Sequence, residues 1–173
     1  MCIQFADDTT LVNAVDEENG SQSVYNESHL KAKTWFLANK LTLNDRKLIK
    51  MWFTLQNNDN SSNSLNSTKF LGIHLDSRLS WAEHGEVVAN KLCKGIFALR
   101  NLVNVIPLET VKFAYFSLIQ SHLSYGILVW GHSPICHRLF QLQRRAVRIT
   151  RGLGYREDCR WVYNELNILT VPS

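Results

Sequence analysis

The hydrophobic pattern of this chain changes character near residue 78. Before that point apolar residues gather in short runs separated by polar turns. Residues 2–5 and 10–15 read as short strands joined by Ala6-Asp7-Asp8-Thr9, where the aspartates supply turn chemistry. That predicts a hairpin carrying two carboxylates at its tip. Residues 16–22 form a polar loop, and residues 24–41 then follow a helical period with Val24, Ala32, Trp35, Phe36 and Leu41 near one face. Leu43-Asn44-Asp45-Arg46-Lys47 breaks the helix, residues 48–55 read as a buried strand, and residues 57–67 are an Asn/Ser-rich loop. Residues 70–75 predict one more strand.

Beyond residue 78 the period is that of helices. Ser80-Trp81-Ala82-Glu83 fits a capping box, followed by an apolar stripe of Val87, Val88, Leu92, Ile96, Leu99 and Leu102. Pro107 suits a first helical position and opens a second helix through about residue 123. A third helix is expected over 135–150, ending near Gly152, and a short fourth over 158–166. The fold class expected is α+β, with an α/β-mixed first segment and a helical remainder.

Composition narrows the function classes. The 173 residues are 45% hydrophobic with a net charge of +4, which excludes collagen-like, disordered and disulfide-scaffold proteins and suggests one domain or two small ones. The charge is unevenly spread. Residues 1–66 carry six basic and eight acidic side chains, residues 67–133 six and four, and residues 134–173 seven and three, with all seven of the last set arginine. Such asymmetry suggests different work at the two ends. Cys2, Cys93, Cys136 and Cys159 form no CxxC pair; His132, Cys136, His137 and Cys159 could be imagined around zinc, but scattered thiols and surface histidines describe them better. No secretory signal pattern opens the chain, and its longest apolar stretch, 111–130, is interrupted by Lys112, Gln120, Ser121, His122 and Ser124. The expected location is intracellular, in nucleus or cytoplasm, with no membrane partner.

Adjacent carboxylates on a turn suit hard divalent cations. Mg²⁺ takes oxygen ligands and usually binds one or two carboxylates plus substrate phosphates. In a two-metal site one ion activates the attacking group and the other steadies the leaving group. Ordinary turn chemistry is the alternative for an isolated Asp-Asp. Arg138, Arg145 and Arg148 recur at helical spacing, with Arg144 and Arg151 alongside; such a stripe either tracks phosphates or forms a solvated helix face. The five tryptophans are expected to be packing residues.

Taken in order, several segments resemble one family. Phe5-Ala6-Asp7-Asp8-Thr9 resembles the aromatic-x-Asp-Asp box of reverse transcriptases, and residues 39–47 look like their next motif, Asn-x-x-Lys. Residues 69–76 resemble the primer grip in its non-LTR form, and residues 77–81 continue in the same style. Residues 125–131 resemble the segment after the polymerase thumb, residues 142–149 the arginine-rich helix after it, and residues 166–172 are also similar. The resemblance is to the reverse transcriptase of jockey-type non-LTR (LINE-like) retrotransposons and covers essentially the whole chain.

It implies an RNA-directed DNA polymerase using Mg²⁺, with Mn²⁺ as an alternative, and RNA template, DNA primer and dNTPs as partners. Asp7 and Asp8 would be catalytic metal ligands, with Phe5 in place of the commoner Tyr. Lys47 would lie near the incoming triphosphate, where a cation stabilises the leaving pyrophosphate; a solvated lysine is the alternative, because Leu48 replaces the Thr that often follows. Phe70, Leu71 and Gly72 would form a turn against the primer terminus, and Arg138, Arg144, Arg145, Arg148 and Arg151 would contact nucleic acid. The implied divisions are the C-terminal half of the palm (1–78), a thumb-like helical region (79–131) and a truncated arginine-rich helical connector (132–173). The family's other catalytic Asp strand, its Gly-rich nucleotide pocket and its fingers have no counterpart in this sequence, nor do endonuclease, RNase H or Cys/His-knuckle modules. The expectation is therefore the C-terminal part of a polymerase, inactive alone, or a catalytically silent nucleic-acid-binding remnant.

Overall fold

The computed structural model describes residues 1–15, 20–53 and 67–171, which form two compact units, Met1–Ile49 and Lys50–Ser173. The fold is α+β: two small antiparallel sheets and a predominantly helical remainder.

In the first unit, β1 (Cys2–Phe5) pairs with β2 (Asp8–Leu11) in the register Phe5↔Asp8, leaving Ala6-Asp7 as a two-residue turn with Ala6 at φ 51°. The ladder is extended by reciprocal bonds between Met1 and Val12, at 2.8 Å for the Val12 amide and 2.7 Å for the terminal amine. Helix α1 spans Ser21–Ala38 and is closed by Asn39, whose amide and side chain both donate to the Trp35 carbonyl. A 3₁₀ turn, Asp45–Lys47, follows because Asn44 accepts from the Arg46 amide at 3.2 Å, offering the backbone a local partner that competes with helix. No described residue of this unit is buried. The expected apolar face of α1 is accordingly open: Trp35, on that face, remains 52% exposed.

Among the described residues every buried apolar side chain belongs to the second unit. Here β3 (Ser67–Phe70) and β4 (Ile73–Asp76) form a hairpin, followed by α2 (Ala82–Leu102), α3 (Leu108–Tyr115), α4 (Ser121–Ser124), α5 (Ile127–Trp130), α6 (Ile135–Arg151) and α7 (Arg160–Glu165). A π turn over Phe116–Gln120 joins α3 to α4, so the expected helix from Pro107 exists but is locally underwound; Pro107 sits at its N-cap, one place earlier than predicted. The core is built where α6 packs along α2. Leu92, Leu99, Ile119, Leu123, Leu139 and Val147 are essentially inaccessible. Gly85 lets the crossing close, since a Cβ there would lie 2.1 Å from Cγ1 of Ile135. Trp130, fully buried, donates its indole N–H to the Tyr125 carbonyl at 2.9 Å and lies against the His84 ring.

Three sequence expectations are corrected. Residues 48–53 form no strand; Ile49 and Phe53 are exposed, and among the described residues no neighbouring strand offers this run a ladder. The single strand expected over 70–75 is a hairpin, because Leu71 and Gly72 take φ 45° and 83°, the double positive-φ geometry of a tight two-residue turn. The capping box fails. Trp81 holds the cap position in a left-handed conformation with no side-chain cap bond, and the Ser80 and Trp81 amides are instead taken by the Asp76 carboxylate at 2.9 and 3.0 Å. Burial opposes the charge on Asp76, yet those two amides outweigh it and hold the carboxyl below its ordinary range. Glu83, freed from capping, lies 3.3 Å from Nδ1 of His74. The Asn/Ser segment up to residue 66 and residues 16–19 of the polar loop lie outside the described residues.

Candidate nucleic-acid interface

Asp7 occupies the second turn position of the β1–β2 hairpin and Asp8 opens β2, so both carboxylates project from an exposed tip. Among the described residues neither makes a hydrogen bond or ion pair, and no third His, Cys, Asp or Glu joins them in a metal-binding group. Two adjacent carboxylates carry the oxygen donors that a hard cation takes, but among the described residues they do not make the closed ligand set that two ions share. Lys47 ends the 3₁₀ turn with its side chain in solvent.

In the second unit, the three residues of the expected primer grip meet at one place. Phe70 ends β3, and Leu71-Gly72 make the turn. The turn is tied to the helical body by the Tyr125 hydroxyl, which donates to the Leu71 carbonyl. A Cβ on Gly72 would lie 3.4 Å from the same tyrosine ring, and one on Gly126 would meet Ile73 at 2.6 Å. The hairpin is thereby seated on the segment 125–130, a link between two motifs that are far apart in sequence.

Helix α6 separates its faces cleanly. Leu139, Gln143, Ala146, Val147 and Thr150 point into the core, while Arg138, Arg144, Arg145 and Arg148 line an outward groove of about 510 Å³ with Gln141, Leu142 and Tyr155. The five predicted arginines are not equivalent. Arg138 is ion-paired with Glu86 of α2, and Arg151 pairs with Glu165 at 2.9 Å while lying over the Trp161 ring. Arg148 spends only its Nε, donating to the Glu157 carbonyl at 2.8 Å. Arg144 lies over Phe140, and Arg145 makes no hydrogen bond or ion pair among the described residues. Arg144, Arg145 and Arg148 thus keep donors for an external anion, whereas Arg138 and Arg151 serve the fold.

The zinc alternative fails on geometry. Cys136 and Cys159 are buried, Cys136 approaches the Gly131 carbonyl at 2.9 Å with burial pushing its thiol up, and no metal-binding group of three or more residues occurs among the described residues. No helix among them is long and apolar enough to cross a membrane.

Tyr155 was not foreseen. The signal that could have found it is Gly152-Leu153-Gly154, which ends α6 and turns the chain back. The Gly152 amide bonds Ile149 and the Leu153 amide bonds Arg148, with Gly152 at φ 70°.

No protein-family model matches the chain, and no solved structure does. It is 25% identical to a probable RNA-directed DNA polymerase from transposon BS of Drosophila melanogaster, along an alignment of 184 positions that covers 98% of this chain and 20% of that protein. The chain thus spans about one fifth of the length of this relative. It is distantly related to a transposon reverse transcriptase.

Proposed function

We propose that this chain is a C-terminal part of a jockey-type, non-LTR reverse transcriptase, contributing the rear of the palm, the thumb and the arginine-rich helix beyond it. The observation that carries the reading is the similarity to a transposon polymerase along nearly the whole chain, joined to a pair of free carboxylates on a hairpin tip. The open apolar side chains of the first unit fit a segment whose core is completed by other parts of a larger enzyme. In that enzyme Asp7 and Asp8 would hold Mg²⁺, which supplies charge stabilisation for nucleotidyl transfer from dNTPs to a DNA primer on an RNA template. Lys47 would face the triphosphate, and Phe70, Leu71 and Gly72 the primer end. Arg144, Arg145 and Arg148 would meet the backbone.

Primer extension tests this reading. With RNA template, DNA primer, dNTPs and Mg²⁺, the isolated chain is expected to add no nucleotide, because Asp7 and Asp8 lack a third carboxylate partner among the described residues. Extension that disappears in Asp7→Asn would overturn the expected inactivity and strengthen the polymerase assignment. Extension that persists in Asp7→Asn would remove the carboxylates from the chemistry.

A second reading is favoured by the groove on α6: a catalytically silent nucleic-acid-binding module. It keeps the backbone contacts and dispenses with catalysis.

A further inference from the structure

We infer that the groove on α6 selects single-stranded over double-stranded nucleic acid, with Tyr155 as a stacking platform for an unpaired base. This rests on the nucleic-acid reading above and adds to it a residue, a strand preference and a division of labour.

The geometry begins with the end of α6. The reversal at Gly152 brings the chain back beside its own helix, where Gly154 to Glu157 close a tight turn through a 3.2 Å bond between the Glu157 amide and the Gly154 carbonyl. Arg148 then clamps that turn to α6 through the Glu157 carbonyl. Tyr155 is fixed at the crest of the turn and is 81% exposed, yet it lines the groove together with the arginines. An aromatic ring held in solvent by a clamped turn contributes nothing to a core. Its free ring faces and the neighbouring guanidinium donors match a base and its phosphates.

The lining also discriminates between polyanions. Of the four arginines that line the groove, Arg138 is paired with Glu86, and the other three, with no acidic residue among the described lining residues, give it a positive potential. An acidic peptide would satisfy the arginines but would need apolar anchor pockets to be held specifically, and among the described residues Leu142 is the one aliphatic side chain lining the groove. A duplex would present phosphates to Arg144, Arg145 and Arg148 while keeping its bases stacked on one another, so the Tyr155 ring would gain nothing from it. A single strand can use both elements. The phosphate contacts set affinity and salt dependence, and the ring sets strand preference without sequence preference, since every base offers a π face.

The test is fluorescence anisotropy of chain 1–173 with labelled oligo-rU, oligo-dT and a hairpin duplex of matched phosphate number. The two single strands distinguish RNA from DNA as the natural ligand, and both should bind more tightly than the duplex. Tyr155→Ala should weaken single-strand binding about tenfold and leave duplex affinity and the salt slope unchanged, while Tyr155→Trp should restore the single-strand preference. Arg145→Ala should instead weaken all three ligands together. If Tyr155→Ala leaves single-strand binding intact while Arg145→Ala lowers it, stacking is overturned and the nucleic-acid reading stands. If nothing binds, or if heparin and a poly-glutamate peptide compete as well as oligonucleotides do, both are overturned. Exposure of Tyr155 and Arg145 makes unfolding a poor explanation of either result, and unchanged far-UV circular dichroism checks it.

Discussion

Trp130→Ala should cost the helical unit about 3–5 kcal/mol, the range for removing a large aromatic from a packed core. Trp130 is fully buried at the junction of three elements: its ring lies 5.6 Å from that of His84 on α2, its indole N–H satisfies the Tyr125 carbonyl, and Tyr125 in turn holds the Leu71 turn. Truncation leaves a cavity and an unpaired carbonyl together. For a unit of this size the melting temperature should fall by roughly 10 °C or more. Trp130→Phe keeps most of the ring volume and loses the donor, so it should cost about 1–2 kcal/mol. Thermal melts of the two variants separate packing from hydrogen bonding. Equal losses would mean that the indole N–H, not the ring, carries the effect. A further consequence is local: hydrogen exchange in the β3–β4 hairpin should quicken more than exchange at the centre of α6, because the hairpin is seated through Tyr125.

The second large effect is expected at Gln143. Its amide is fully buried on the inner face of α6 and joins four partners. Nε2 donates to the Leu169 carbonyl at 2.7 Å and lies 3.2 Å from Oε1 of Gln120 and 3.3 Å from the Tyr115 hydroxyl. Oε1 accepts from the Val171 amide at 3.1 Å. Burial pushes the Tyr115 phenol up, so it stays a neutral hydroxyl and donates to Gln120 at 3.1 Å. Gln143→Leu conserves volume and removes every bond made by the Gln143 amide, leaving the buried Val171 amide without its acceptor while the Tyr115–Gln120 bond stays possible. Each orphaned group costs about 1–3 kcal/mol, so a total loss of about 2–5 kcal/mol is expected in urea unfolding. The segment from Ile168 to Val171, whose Ile168 and Val171 are core residues, should become the first part to open. A loss below about 1 kcal/mol would show that the tail is held by apolar packing alone.

These two residues illustrate what the sequence could and could not convey. The helices after residue 78 were readable because a 3.6-residue apolar period and a terminal Gly152 are local signals, and α6 ends where that glycine predicts. The arginine face of α6 was readable for the same reason. Which arginines remain available was not, because Glu86 and Glu165 approach from other helices. Asp76 capturing the Ser80 and Trp81 amides displaced a capping box that local spacing favoured equally well. The apolar run at 48–53 carried the composition of a strand, but composition supplies no hydrogen-bonding neighbour. The apolar run over 70–75 read as one strand because leucine rarely accepts a positive φ, so only the family resemblance, not the local pattern, implied a turn at Phe70–Gly72. Asp7 and Asp8 sit on a hairpin tip as the pattern predicts, and their role rests on resemblance rather than on any enclosing geometry.

We propose that this chain retains part of a polymerase's track for nucleic acid. This proposal is tested most directly by titrating chain 1–173 against an RNA-template/DNA-primer duplex with an unpaired template overhang, over a range of salt concentrations. Binding is expected with a log–log salt slope of magnitude about 2–3, matching three available arginines, and a slope smaller by about one in Arg145→Ala. Replacing Arg144, Arg145 and Arg148 together by alanine should abolish most of the affinity. Absence of binding at low salt, or binding indifferent to salt and to the triple replacement, would contradict it.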